Sequence, residues 1–112
     1  MFYECKSLKD IDSLKNWDVS KSENFSNMFY KCSSLVDRKS LENWNVSNVK
    51  NFSGMFYNCS SLVDIKNIQN WDVSKGEKFE KMFCQCSKSL NIKDIKKWKI
   101  SKSKFKSLLS DK

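Results

Sequence analysis

The sequence repeats itself every 27 residues, and this period constrains its fold more than any other feature. Three residue types recur in step and mark four successive repeats: Met1, Met28, Met55 and Met82; Cys5, Cys32, Cys59 and Cys86; and Trp17, Trp44, Trp71 and Trp98. A fixed period of this length is typical of an open stack in which each repeat buries its apolar face against its neighbours. We therefore predict a single solenoid domain over residues 1–112, with repeats 1–27, 28–54, 55–81 and 82–108 and a tail at 109–112.

Each repeat carries a signal for a short helix. Ser20 precedes Glu23 by three residues, and Ser74 precedes Glu77 by the same step, which is the spacing of a capping box. Behind this cap, apolar residues recur at steps of three and four, as on one face of a helix. The pattern predicts four short helices near residues 21–31, 48–58, 75–85 and 102–109.

The other half of each repeat predicts a short strand. Leu62, Ile65, Ile68 and Trp71 are spaced three residues apart, and β-branched side chains are enriched around them. We expect a strand of about three to five residues around Ile65 and at the equivalent positions. The predicted fold class is therefore an α/β repeat, in which each repeat combines one short strand with one short helix.

Positive charge is concentrated in the last repeat. The chain has a formal net charge of +8, and from Met82 onward nine Lys face only Asp94 and Asp111. The candidate basic patch consists of Lys88, Lys93, Lys96, Lys97, Lys99, Lys102, Lys104 and Lys106. It is interpreted first as a solvated cap of the stack and second as a patch that binds anions, either nucleic acid or anionic lipid. Because specific phosphate recognition favours Arg and the chain has only Arg38, nucleic acid is the less favoured partner.

The repeated Cys residues predict buried, reduced thiols rather than a chemical site. Each falls on the apolar face of its repeat, where a free thiol packs as a small hydrophobic group; a disulfide ladder is the alternative. The chain contains no His and no Cys-x-x-Cys motif, so we expect no metal and no cofactor. Cys84 replaces a repeated Tyr and is predicted to be the one exposed, reactive Cys.

Two further columns of repeated residues have competing interpretations. The Trp residues are predicted to lie in the core, with an exposed ligand platform as the alternative. Asp18, Asn45 and Asp72 each stand two residues before a Ser, which predicts Asx turns. A calcium ladder is the alternative for these three positions, although Lys99 interrupts it.

The sequence contains no catalytic constellation, since it lacks His and a phosphate-binding glycine loop. We therefore predict a protein that is not an enzyme. Positions that differ between repeats are the candidates for binding a partner, because packing constrains the positions that recur. These candidate residues are Lys15, Lys39, Glu42, Lys66 and Gln69.

No apolar run in the sequence exceeds three residues, which excludes a transmembrane helix and the apolar part of a secretory signal within it. Because Met1 aligns with the internal Met residues, the chain is expected to begin partway through the pattern. Such a chain is either a fragment with an export signal upstream or a truncated copy. The uncovered first repeat also predicts self-association end to end.

The repeated motifs resemble those of a known family. Met-Phe-x-x-Cys-Ser-Ser-Leu, Asn-Trp-Asp-Val-Ser-Asn-Val and Phe-Ser-Gly-Met-Phe together resemble the BspA-like leucine-rich repeat family, and more closely the mycoplasma-type surface-protein repeat, once filed as a domain of unknown function. The best-matching stretch is 47–56, SNVKNFSGMF, and the resemblance spans essentially the whole chain. It implies a leucine-rich-repeat-like solenoid on the bacterial surface, often as a lipoprotein, although this chain has no lipoprotein Cys signal.

Members of the resembled family are implicated in adhesion to host or neighbouring cells. The predicted function is therefore a non-enzymatic, surface-associated module for protein–protein interaction or adhesion. An anion-binding module that uses the Lys-rich last repeat is one alternative. A passive scaffold segment of a larger assembly is the other.

Overall fold

The computed structural model describes residues 16–36 and 41–109, and helices account for little of them. A 3₁₀ helix spans Lys66–Ile68, a second 3₁₀ helix spans Ile92–Ile95, and the α-helix α1 spans Lys102–Ser107. The β-structure of the described ranges consists of isolated parallel bridges, which join Asn24 to Asn51 and Asn51 to Lys78. The other described residues form turns, bends and irregular backbone.

The three regions that were predicted as the first three helices contain a hydrogen-bonded ladder instead. We call residues 23–31, 50–58 and 77–85 ladder segments 1, 2 and 3. In segment 1, every second N–H donates to a carbonyl of segment 2 over 2.7–2.9 Å: Phe25 to Asn51, Asn27 to Ser53, Phe29 to Met55 and Lys31 to Tyr57. Segment 2 donates to segment 3 in the same way: Phe52 to Lys78, Gly54 to Glu80, Phe56 to Met82 and Asn58 to Cys84. The repeats therefore stack on one another in register.

Left-handed residues explain why the apolar steps of three and four do not produce helices here. Each ladder segment contains two residues with φ between 57° and 64°: Asn27 and Lys31, Gly54 and Asn58, Lys81 and Gln85. A residue in this conformation interrupts a right-handed helix. The intervening N–H groups instead close short turns, such as Met28 to the carbonyl of Phe25 and Tyr30 to that of Asn27.

The predicted fold class, a leucine-rich-repeat-like α/β solenoid of strand-plus-helix repeats, is therefore wrong. The described part of the chain is compact, contains α1 as its one α-helix and contains almost no β-structure. Where a strand was predicted around Ile65, the chain enters the first 3₁₀ helix. The three-residue spacing has a different cause, because the N–H groups of Leu62, Ile68 and Trp71 each donate to the carbonyl three residues earlier. A turn of this kind returns an apolar side chain to the core at every third residue.

The capping boxes predicted at Ser20 and Ser74 do not begin helices. The backbone N–H of Glu77 instead joins the ladder, donating to the carbonyl of Lys50 at 2.7 Å. The fourth predicted helix does form, as α1. Ser101 caps its start, since its hydroxyl accepts from the N–H of Lys104 at 3.2 Å. A Ser at this position satisfies one of the donors that a helix leaves unpaired at its start.

The core runs continuously through the stack as columns of aromatic side chains. The Phe29 and Phe56 rings are stacked with centroids 5.6 Å apart, and Phe56 and Phe83 with centroids 5.5 Å apart. Gly54 beside this column has φ 64°, and a Cβ atom there would overlap the Asn27 side chain. Gly54 therefore meets a local requirement of the ladder rather than weakening a helix.

Candidate interaction surfaces

The structure places three of the five predicted partner-binding residues, since Lys15 and Lys39 lie outside the described ranges. Glu42 is exposed, and Gln69, its equivalent one repeat later, is half-buried. Lys66 is exposed at the start of the first 3₁₀ helix. The two 3₁₀ helices contact each other, so Lys66 lies on the turn next to that of Lys93. The predicted partner-binding surface thus adjoins the candidate basic patch.

The candidate basic patch is spread along the last repeat rather than gathered at one point. Seven of its eight Lys residues are exposed, and Asp94 is the one acidic residue between positions 82 and 109. Lys104 is half-buried, and its Nζ donates to the carbonyl of Gly76 at 3.1 Å. This bond ties α1 to the preceding repeat, so Lys104 has a structural contact as well as a charge.

Sequence reasoning missed an open groove beside the ladder. Tyr30 and Tyr57 line it together with polar side chains that include Asn51, Lys78 and Glu80. The two Tyr rings are half-buried and stacked, with centroids 4.8 Å apart and planes 11° apart. Since the two rings cover each other's facing sides, a partner in the groove meets mainly their edges. The sequence could have indicated this groove, because its three Tyr residues share the 27-residue step.

Three of the four repeated Trp residues lie in the core. Trp44, Trp71 and Trp98 are 4–5% exposed, which confirms the core prediction for them. The indole N–H of Trp71 donates to the carbonyl of Leu41 at 2.8 Å, and that of Trp98 to the carbonyl of Ile68 at 3.0 Å. The prediction is wrong for Trp17, which is 41% exposed.

Three members of the Cys column lie within the described ranges, and Cys5 lies outside them. Cys32, Cys59 and Cys86 are free thiols, and the Sγ atoms of Cys59 and Cys86 donate to the carbonyls of Phe29 and Phe56, each at 3.1 Å. Burial raises the pKa of Cys86 to about 12 and raises the pKa of Cys59 further. Because the thiolate is the reactive form, these thiols are inert at neutral pH. Burial is confirmed for Cys32 and Cys59, and Cys86 is half-buried.

The prediction that Cys84 is exposed and reactive is wrong, because Cys84 is only 4% exposed. It occupies the position of Tyr30 and Tyr57, one repeat further on. A Tyr ring at this position reaches the groove, whereas the short thiol ends beneath the surface.

One family description covers almost the whole chain: Mycoplasma protein of unknown function, DUF285, which matches residues 1–111. The chain belongs to this family. Neither the curated proteins nor the solved structures gave a match. The family match confirms the mycoplasma-type resemblance of the sequence and does not extend to the BspA-like leucine-rich repeat family.

Asx turns recur along the surface of this DUF285 chain, as predicted. Asp18 Oδ1 accepts from the N–H and the hydroxyl of Ser20 at 3.1 and 2.6 Å, and Asp72 Oδ1 accepts from the N–H of Ser74 at 3.0 Å. Hydrogen bonds from the Ser20 side chain and backbone lower the pKa of Asp18, and those from Ser74 lower the pKa of Asp72. In the described ranges, the DUF285 chain brings no three His, Cys, Asp or Glu side chains together as metal ligands.

No helix within residues 16–36 and 41–109 of the DUF285 chain has the length and apolar character needed to cross a membrane.

Proposed function

We propose that the chain is a non-enzymatic, surface-associated module for protein–protein interaction or adhesion. The observation that carries the proposal is the division between a recurring core and exposed positions that vary. Stacking in register gives the repeats equivalent positions at the surface, and the residues there differ in charge, as with the exposed Glu42 and the half-buried Gln69. A stack of this kind can change its binding specificity without changing its packing.

The groove beside the ladder supports the same proposal. Tyr is enriched in protein–protein interfaces because it offers a large, rigid apolar surface with a polar end. The Lys31 ammonium lies 5.4 Å from the centroid of the Tyr30 ring, within the range of a cation–π contact. A half-buried aromatic pair flanked by charges is suited to a protein partner.

The location on the cell surface and the adhesive role rest on the sequence motifs. The Met-Phe-x-x-Cys-Ser-Ser-Leu pattern and the stretch 47–56 resemble BspA-like surface proteins. That resemblance favours a partner on a host cell or a neighbouring cell.

The test is a binding array of host matrix proteins and intact cells, probed with the full chain. We expect at least one saturable partner, and we expect the double variant Glu42→Ala, Lys66→Ala to bind it more weakly. The matched control is Lys21→Ala, Glu77→Ala, which also removes one acidic and one basic exposed side chain. Binding no stronger than background to every component would refute the adhesion proposal, and a passive scaffold segment would then be favoured.

A second candidate function is anion binding, because seven exposed Lys residues lie near one end of the stack. Its test is a salt titration of binding to an anionic vesicle and to a DNA duplex, since contacts with anionic groups weaken steeply as salt rises. The triple variant Lys96→Gln, Lys97→Gln, Lys99→Gln is compared with Lys21→Gln, Lys75→Gln, Lys78→Gln, which removes the same charge elsewhere. Equal losses in the two variants would mean that only net charge matters and would rule out a localised patch.

A further inference from the structure

A pocket opens between the turns that contain Trp71 and Trp98, in the third and fourth repeats. It has a volume of about 220 Å³, and every residue that lines it belongs to the continuous described range 41–109. Three of the lining residues are buried and form an apolar base: Trp71, Val73 and Trp98. The other four are exposed at its mouth: Asp72, Ser74, Lys97 and Lys99. The pocket thus combines an apolar base with a charged mouth.

The side chains at the base of the pocket offer no free polar group. The Trp71 and Trp98 rings are stacked with centroids 6.4 Å apart and planes 7° apart. The indole N–H is the one polar group of a Trp side chain. In both residues it already donates to a backbone carbonyl, that of Leu41 or that of Ile68. Because burying a polar group without a hydrogen bond is costly, the part of a ligand that enters this pocket has to be apolar.

The two Lys residues at the mouth are specific to the last repeat. Lys97 takes the position of Asn70, and Lys99 takes the position of Asp72. Within residues 16–36 and 41–109, neither ammonium has a hydrogen bond or an ion pair, although Lys99 and Asp72 line the same pocket. Both charges are therefore available to an acidic ligand.

Asp72 makes the mouth selective as well as basic. Its Oδ1 accepts from the N–H of Ser74 at 3.0 Å, and a carboxylate has acceptor capacity beyond one such bond. A peptide backbone brings N–H donors to this group, whereas a phosphodiester brings none and is repelled by it. Lys also lacks the fork of donors with which Arg binds a phosphate at two points. The mouth therefore favours an acidic peptide over nucleic acid or a lipid phosphate.

We propose that this pocket binds an acidic segment of a protein partner, in which an apolar side chain stands between carboxylates. The apolar side chain enters the pocket against Trp71, Val73 and Trp98, and the flanking carboxylates pair with Lys97 and Lys99. Burial of the apolar group supplies most of the affinity, while the exposed charges orient the segment and speed its association. This inference rests on the proposed interaction function and names the chemistry of the partner.

The test is an NMR titration of the full, isotope-labelled chain with a panel of peptides Glu-Glu-X-Glu-Glu, in which X is Val, Leu, Ile, Met or Phe. We expect at least one peptide to produce saturable shifts in the indole N–H signals of Trp71 and Trp98 and in the amides of residues 71–74 and 97–99. Replacing X by Gly leaves the charge unchanged and should weaken binding about tenfold, because no side chain then fills the pocket.

Two charge-matched variants of the chain locate the binding surface. Lys97→Gln with Lys99→Gln should weaken the tightest-binding peptide about fivefold, the effect expected of two exposed ion pairs. The control, Lys88→Gln with Lys106→Gln, removes the same charge from exposed positions of the last repeat outside the pocket. At physiological ionic strength it should change affinity less than about twofold, because salt screens charges that do not contact the ligand.

The inference is overturned if no peptide of the panel produces saturable shifts at these positions, if the two variants lose equal affinity, or if the Gly peptide binds as tightly as the others. A DNA duplex or an anionic vesicle that shifts the same signals more strongly than the panel, at the same salt concentration, would also overturn it. If the array of matrix proteins and cells yields a partner while the panel produces no shifts, this inference fails and the interaction function stands.

Discussion

The first and last described repeats carry equivalent Trp residues that differ in how well they are covered. Trp17 of the first described repeat is 41% exposed. In the last repeat, Trp98 is 5% exposed and Leu108 is completely buried. Residues that depart from the repeated pattern, such as Leu108, therefore complete the core of the last repeat.

The last repeat shows how that departure works. The carbonyl of Leu108 accepts from the N–H of Phe83 at 2.9 Å, as the carbonyl of Met82 accepts from Phe56. Leu108 thus acts as the next Met of the column, one residue earlier than the period requires. Between Ser101 and Leu108, α1 replaces the ladder, and the N–H of Phe105 donates within it to the carbonyl of Ser101 at 2.9 Å.

The largest difference between the ends should appear when each Trp is removed. Trp98→Ala should lower the free energy of unfolding by about 3–5 kcal/mol, because it deletes a buried ring that stacks on Trp71 and donates to the carbonyl of Ile68. Trp17→Ala should cost about 1 kcal/mol, since much of that ring already contacts water. Urea unfolding of the two variants measures the difference, and equal losses would mean that the two rings are equally covered.

A second comparison concerns the Leu pair after α1. Leu108→Ala should lower the free energy of unfolding by about 2–5 kcal/mol, because the side chain is buried beneath the cap. Leu109 is 50% exposed, and Leu109→Ala should change stability by about 0.5 kcal/mol or less. Thermal unfolding of both variants tests this, and a similar shift in Tm for the two would show that Leu108 does not lie in the core.

A smaller effect should separate the two kinds of Ser that precede predicted helices. Ser101→Ala should cost about 1 kcal/mol, because the hydroxyl caps α1. Ser20→Ala should cost about 0.5 kcal/mol or less, since no helix follows Ser20 and its hydroxyl donates to the exposed Asp18. Denaturant unfolding of the pair checks the order, and a larger loss for Ser20→Ala would indicate that the helix predicted near 21–31 does form.

The smallest effect should be common to the first described repeat and the interior. The pKa values of Asp18 and Asp72 are both lowered by local hydrogen bonds from Ser20 and Ser74, which do not depend on stacking. Since a lowered folded-state pKa stabilises the fold above the unfolded-state pKa, near 3.8, this contribution is lost as pH falls through the folded value. NMR titration of the two carboxyls should show both pKa values lowered. Ser20→Ala should raise only the pKa of Asp18, and only in part, because the backbone N–H of residue 20 still donates to it. A lowered value at one site alone would tie the shift to position in the stack.

The sequence allowed the repeat register and most of the core to be predicted. Trp44, Trp71 and Trp98 are buried as expected, because side-chain apolarity at a fixed period selects the core whichever backbone carries it. The Asx turns were predictable for a similar reason. The Ser side chain and backbone lie within reach of an Asp or Asn two residues earlier in any fold.

The backbone of the ladder segments could not be predicted from the same pattern. Apolar steps of three and four fit a helix, but they also fit a turn that is interrupted by left-handed residues. Gly54 and Asn58 are compatible with that conformation, whereas Lys81 and Gln85 at the equivalent positions give no sign of it. The backbone is determined by hydrogen bonds between residues one repeat apart. The helix and strand propensities of neighbouring residues do not predict such bonds.

The candidate surfaces were predictable only where exposure follows from variation between repeats, as at Glu42 and Lys66. The Tyr groove depends on how far a side chain reaches from the ladder, so Tyr57 lines it while Cys84 lies beneath the surface. The 27-residue period marks the position but not the surface that its side chain reaches.

Amide hydrogen exchange tests most directly the claim that the repeats stack through a ladder rather than through helices. The N–H groups of Glu77 and Lys78 both donate to the carbonyl of Lys50, one repeat away. We predict slow exchange for both amides, because a helix near 75–85 would leave these N–H groups in its unpaired first turn. Fast exchange of this pair, or helix-like protection of every amide in 50–58, would contradict the claim.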